Sequence, residues 1–302
     1  MSKPNLKPLL YWIKERESIR LKREAGLPPP WTKDPILSTY RFCCVRREDD
    51  RVTRWIRKNI REQFADNHNL WLMLCISRQI NWPPTLDELI TAGKKTWPSD
   101  NESFEPQRMA ELLDRRQKRG DKIFTSAYLI SGSGIKDHPT WSKGKWVAMG
   151  VIRPLWQTRT EFQRVIRFEP SLQRVHAMLK EHPGWGDFLS YQAVVDMRFT
   201  PLLEKAPDVF TWACAGPGTR RGLNRLYGRP LHQRVSYEQV LKELRYLYAE
   251  VQKRVPNIPM DLSDLLSCLC ETDKYLRMQN DEGKMRSKFV PSLEPLPGMA
   301  PC

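Results

Sequence analysis

Apolar residues recur at spacings of three and four along most of this chain, and strict alternation is scarce. Between Ser236 and Val255, one stripe holds Val240, Leu241, Leu244, Leu247, Tyr248 and Val251, with Lys242, Glu243, Arg245 and Glu250 on the opposite side. Ser236 supplies an N-cap and Pro256 a stop. The span Asp261 to Met278 repeats the pattern through Leu262, Leu265, Leu266, Leu269 and Leu276. Residues 51 to 64 form a third helix, with Val52, Trp55, Ile56, Ile60 and Phe64 inward. Further helices are predicted over 68–80, 107–118, 121–130, 170–181 and 185–198. The best strand signal is the short run Lys145 to Ile152. The fold class is therefore all-α with few short strands.

Proline clusters at 28–30, 83–84 and 291–301 read as loops or tails. No internal repeat and no clear linker occurs. One helical domain over 1–290 is expected, followed by a Pro-rich, disordered tail over 291–302. No run of about 18 apolar residues suggests a membrane span. The N-terminal segment turns charged too early for a signal peptide, so a cytoplasmic location is expected.

Charge adds a functional constraint. Fifty Lys and Arg against 35 Asp and Glu give a net +15. Such a balance attracts polyanions, nucleic acid first among them. The seven cysteines form no CxxC pair, and reduced, mostly buried thiols are expected. The five histidines form no HExxH or other zinc-like spacing, so no metal site is predicted. No GxSxG, no deaminase signature and no GxxxxGK[ST] phosphate loop occurs.

Four stretches could carry chemistry. In RFCCVRREDDRVTRW, Arg41 to Trp55, arginines surround Glu48, Asp49 and Asp50. Those acids suit a helix start, or the arginines could hold phosphate while a carboxylate takes a proton. In FLSYQAVVDMRF, Gln192 and Asp196 share a helix face among apolar neighbours. Asp196 is then either paired with an arginine or a base with a shifted pKa. In AGPGTRRGLNRL, Gly216, Pro217 and Gly218 make a tight turn that opens a helix at Thr219, followed by Arg220, Arg221 and Arg225. Backbone amides there can approach a phosphate, although an ordinary helix–helix turn explains the glycines too. In LCETDKYLRM, Glu271, Lys274 and Arg277 share a face and could equally be solvated ion pairs.

Together, PWTKDPILSTYRFCCVRREDDRVTRW, FLSYQAVVDMRF, AGPGTRRGLNRL and LCETDKY resemble one family, in that order along the chain. It is the helical domain shared by phage 5-hydroxymethyluracil DNA kinases and the alpha-glutamyl/putrescinyl thymine pyrophosphorylases, or amino acid:DNA transferases. The family pattern has asparagine where this chain has Cys44. The resemblance implies a fold like that of helix-hairpin-helix DNA glycosylases. It also implies action on phage DNA in the host cytoplasm, on a flipped base in modified duplex.

The phosphate loop of the kinases does not occur in this sequence, so the transferase step is the better match. In that step an amine, from an amino acid or polyamine, displaces diphosphate from 5-diphosphomethyl-deoxyuridine. No cofactor is required, and magnesium is compatible with the chemistry. Arg46, Arg47 and Lys274 would stabilise the leaving group. Asp196, beside Gln192, is the first choice of base and Asp50 the second, with Glu271 in the same catalytic set. Arg41 and Phe42 would contact substrate, and Arg225 or Arg277 a donor carboxylate. The segment Gly216–Thr219, with Arg220 and Arg221, would grip DNA. A DNA glycosylase, and a non-catalytic DNA-binding module assisting a separate kinase, remain as alternatives.

Overall fold

The periodic segments fold as helices. The structure, a computed structural model, describes residues 3–125, 136–283 and 288–289. Among these, the sole extended pairing is an antiparallel bridge between Tyr40 and Lys288. The helices run α1 (Lys7–Glu24), α2 (Pro35–Thr39), α3 (Arg51–Ile56), α4 (Leu70–Ile80), α5 (Pro83–Thr91) and α6 (Pro106–Lys118), then α7 (Lys143–Lys145), α8 (Arg153–Gln157), α9 (Arg159–Phe168) and α10 (Leu172–Lys180). The last four are α11 (Asp187–Arg198), α12 (Pro217–Leu226), α13 (Tyr237–Arg254) and α14 (Leu262–Gln279).

Three departures from sequence expectation have plain causes. The apolar run expected as a strand is a π-helical turn, Trp146–Ile152, that continues α7 into α8. A short apolar run has no distinguishing period, and its neighbours decide its state. The pair Pro83-Pro84, read as a break, fills the first turn of α5, where no intrahelical N–H is needed. Residues 121–125 are irregular rather than helical, and the rest of that expected helix lies outside the described residues, as does the 291–302 tail. Helices α1, α2, α5, α8 and α9 lie outside the segments whose spacing predicts a helix. At Pro29-Pro30 the peptide bond is cis.

Two compact units divide the chain. One is discontinuous in sequence, formed by the residues up to Asp50 and those from Phe210 onward. Its organiser is α14, against which α1, α2, α12 and α13 pack. A capping box starts α14: Asp261 accepts from the Asp264 amide, and the Asp264 side chain accepts from the Asp261 amide. Ser236 caps α13 as its sequence predicts, accepting from the Gln239 amide. Val240, Leu244, Leu247 and Val251 of α13 are buried. Glu243, placed on the polar side by its spacing, is buried as well.

The approach of α12 to α14 is set by two glycines. A Cβ at Gly218 would lie 2.3 Å from the Cys270 sulfur, and one at Gly222 would lie 2.4 Å from the Leu269 carbonyl oxygen. Glycines four apart share a helix face, so they form a flat track along which α14 lies. Thr219, between them, donates its hydroxyl hydrogen to the Leu266 carbonyl at 3.1 Å.

The other unit spans Arg51–Val209. Every residue of α4 is buried, which makes it the core helix of this unit. Helix α11 packs on α4 and α10, and α6 packs on the π-helical turn.

Candidate nucleic-acid interface

Local chemistry first explains where the Arg41–Asp50 segment lies. It runs along α14 and is fastened to it by polar bonds. The Cys43 amide donates to Glu271 at 3.0 Å, and the Arg47 amide donates to Asp264 at 2.7 Å. The Lys274 ammonium donates to the Arg41 carbonyl at 2.5 Å and to Glu271 at 3.3 Å. It also sits 4.6 Å from the centroid of the Phe42 ring. That ring contacts Trp12 and Tyr275. Arg41 is exposed, and Arg277 is half-buried. Glu271 is therefore a buried anchor for this segment rather than a solvated partner on a helix surface.

The acids after Arg46 are distinct from one another. Arg46 forms a forked bond to Asp49, at 2.7 and 3.0 Å. Arg20 adds a contact to Asp49 at 3.3 Å. Asp50 is exposed at the end of the short 3-10 turn Arg47–Asp49. Upstream, Asp34 caps α2 through bonds of 2.8 Å from the Ile36 and Leu37 amides. Tyr11 and Tyr275 both donate to its other oxygen, at 2.8 and 2.7 Å. Burial alone would raise the Asp34 pKa. The Leu37, Tyr275, Tyr11 and Ile36 hydrogen bonds outweigh that and hold it below the usual carboxylate range. Burial, with the Asp34 carboxylate, pushes the Tyr11 hydroxyl up to about 12.

Asp196 and Gln192 belong to the other unit, on α11. Asp196 is fully buried and forms a bidentate ion pair with Arg78 of α4, which is itself buried. The second bond of the pair, from Nη2, is 2.8 Å long. This corrects the expectation of a free base. A carboxylate without solvent exposure, with both oxygens held by a guanidinium, has no route to an incoming amine. The paired reading of Asp196 is the one this geometry supports. Gln192 is half-buried on the same helix.

The Gly-Pro-Gly corner begins α12, with Gly216 as N-cap and no side chain capping it. Of its two glycines, Gly218 is accounted for by the α14 contact described above, whereas nothing stands within 4 Å of a Cβ placed at Gly216. Two of its arginines are tied down: Arg221 and Arg225 reach opposite oxygens of buried Asp273, at 2.9 and 2.8 Å. Arg225 pairs with Glu282 as well. Arg220 differs. It donates to the backbone carbonyls of Ala215 and Val235, at 3.2 and 3.1 Å, and among the described residues to no carboxylate.

Beside Arg220 lies a cleft of about 400 Å³, walled by α12, the 229–235 loop and Val240. A second depression of about 430 Å³ adjoins it and shares Arg229, Gln233, Arg234 and Val235. Arg229, His232, Gln233 and Arg234 were absent from the sequence-based site. The basic stretch GRPLHQR between two helices was the available signal. As for the thiols, Cys75 and Cys268 are buried but Cys43 is exposed, so the expectation of mostly buried cysteines holds only in part; none of the six described cysteines is in a disulfide. Burial raises the Cys270 thiol to about 11.

With this geometry in place, comparison with known proteins gives the family. The model of the 5-hmdU DNA kinase helical domain matches residues 3–285. The chain belongs to that family. It is 28% identical over 289 residues to the 5-hmdU DNA kinase of Bacillus phage SP10, covering 88% of this chain and 44% of that protein. The chain thus spans less than half the length of this relative. No solved structure matches. No described helix is long and apolar enough to cross a membrane.

Proposed function

We propose that this chain is a DNA-modifying transferase that replaces the diphosphate of 5-diphosphomethyl-deoxyuridine in DNA with an amine. The observation that carries the proposal is the family match over residues 3–285. The strongly basic charge supports a DNA substrate.

In the reaction the C–O bond between the 5-methylene and diphosphate breaks, and a C–N bond to the amine forms. The diphosphate leaves with the bonding pair, and the amine nitrogen gives up a proton. With Asp196 buried, Asp50 is the candidate base: it is exposed and follows Arg46 and Arg47 in sequence. Arg46, Arg47 and Lys274 supply positive charge in the same unit for the departing diphosphate. The target base would be flipped out of the duplex to reach them. Magnesium would assist by neutralising diphosphate.

The assay combines protein, diphosphomethyl-uracil duplex and a panel of amino acids and polyamines, with and without magnesium. The DNA is then digested and the nucleosides weighed. A mass gain matching one amine, with loss of diphosphate, is expected. DNA that stays unchanged with every amine sinks the transferase reading.

A second reading rests on the name of the phage SP10 relative, a kinase of which this chain matches 44%. The helical chain would then serve as the DNA-recognising partner of a separate kinase. Stimulated phosphorylation of hydroxymethyluracil DNA by such a kinase, without amine incorporation, would favour it.

A further inference from the structure

The loop after α12 has neither helix nor strand, yet buried polar groups fix its shape. Asn224, buried in α12, spends both amide hydrogens on loop carbonyls: Leu231 at 3.0 Å and Gln233 at 3.1 Å. The Arg229 amide returns a bond of 2.8 Å to the Asn224 carbonyl. The Arg229 guanidinium grips buried Glu243 of α13 in a fork of 2.9 and 2.7 Å. Gln239 donates to the same carboxylate at 2.9 Å. Within the loop, the Gln233 amide donates to the Pro230 carbonyl at 3.0 Å.

Leu231 and Val235 of the loop are half-buried, while His232, Gln233 and Arg234 are exposed. The effect of the anchoring is to hold the loop in one shape beside Arg220. Charge in the groove is unbalanced. Asp273 and Glu243 are already engaged by Arg221, Arg225 and Arg229. Among the described residues Arg220 and Arg234 pair with no carboxylate, and Arg220 is steered by the Val235 carbonyl of the loop itself. The two depressions share Arg229 and Arg234, so the surface is an elongated trough rather than a single closed pocket. That shape suits a polymer backbone better than a free diphosphate.

We propose that this trough binds the phosphodiester backbone of DNA, with Arg220 and Arg234 contacting phosphates and Asn224 and Glu243 as positioning residues. The proposal rests on the DNA reading above only for the choice of polymer, and it requires no amine transfer.

Anisotropy of a labelled, unmodified duplex, measured with the full chain across a sodium chloride series, tests it. Each phosphate contact contributes about 0.9 to the slope of log affinity against log salt. Arg220→Gln and Arg234→Gln should each lower the slope by about 0.9 and weaken binding about 8-fold at 0.1 M salt. Arg234→Lys should keep the slope. Asn224→Ala removes no charge, yet should lower the slope as Arg234→Gln does, because the loop that carries Arg234 loses its hold.

Unchanged slopes for both Arg→Gln variants overturn the proposal. Displacement of wild-type protein from DNA by micromolar inorganic pyrophosphate also overturns it, in favour of a site for free diphosphate. A normal slope in Asn224→Ala overturns the positioning role. If the arginine variants lose DNA while no amine is ever transferred, the trough stands and the transferase reading falls. If they transfer amine and bind DNA like wild type, the reverse holds.

Discussion

Arg78 and Asp196 meet inside the Arg51–Val209 unit as a two-bonded ion pair that solvent does not reach. Two further donors of Arg78 are used as well. Nη1 donates to Asn81 at 3.0 Å, and Nη2 also donates to Thr53 at 3.0 Å. One guanidinium thereby ties α3, the left-handed C-cap of α4, and α11 together. A buried pair of this kind adds little net stability over an apolar replacement, but loss of one partner strands a charge.

Asp196→Asn should therefore destabilise the protein by about 3–5 kcal/mol. Urea unfolding should show a lower midpoint with an unaltered slope. Joint replacement, Arg78→Met with Asp196→Leu, should recover most of the loss. A variant that keeps wild-type stability but loses all transfer activity would return Asp196 to a chemical role.

Asp50→Asn should lower amine transfer by at least about 100-fold, the usual effect of losing a general base. Duplex affinity should stay within about 2-fold, since Asp50 is not part of the basic trough and carries no positive charge. Full activity in single-turnover assays would remove Asp50 from the mechanism.

The two track glycines should fail differently. Gly218→Ala collides with the Cys270 sulfur, at the end of a side chain, and should cost about 1–3 kcal/mol. Adding Cys270→Ala should restore much of that, which a double-mutant cycle measures as coupling. Gly222→Ala meets the Leu269 backbone carbonyl, and no side-chain change can relieve it. Equal rescue of both by Cys270→Ala would contradict this packing.

Asp34 gives an acid dependence with a definite sign. Its folded pKa is lowered, so its contribution is present above the unfolded carboxylate value of about 3.9 and is lost as pH falls through the folded value. Asp34→Asn should lower stability at pH 7 by about 1.5–3 kcal/mol, the range for hydrogen bonds to a charged group. The gap between variant and wild type should narrow as pH falls below about 3.9 and close as it passes the folded value. A gap that persists at pH 2 would point to lost shape rather than lost charge.

Much of the helical framework was legible because apolar spacing and caps act within a few residues. Ser236 starts α13 and the Gly-Pro-Gly corner starts α12, as local chemistry requires. The all-α class follows from the same pattern. What stayed hidden depends on partners far apart in sequence. Asp196 shows its apolar neighbours in the sequence, but its arginine lies 118 positions away. Glu243 looks solvated by spacing and is buried because Arg229 meets it from the loop. Gly218 reads from sequence as part of a phosphate-binding turn, but the Cys270 sulfur stands where its Cβ would go. The anchored loop was missed because its order comes from Asn224, a residue with no signature of its own.

The discontinuous unit imposes an order on synthesis. Leu9, Trp12 and Ile13 of α1 are buried in a unit whose organising helix, α14, emerges from the ribosome last of the described helices. The intervening Arg51–Val209 stretch carries its own core and can close while translation continues. Truncation after Val209 should consequently leave the opening fifty residues sticky and chaperone-bound, while the nascent middle is already protease-resistant.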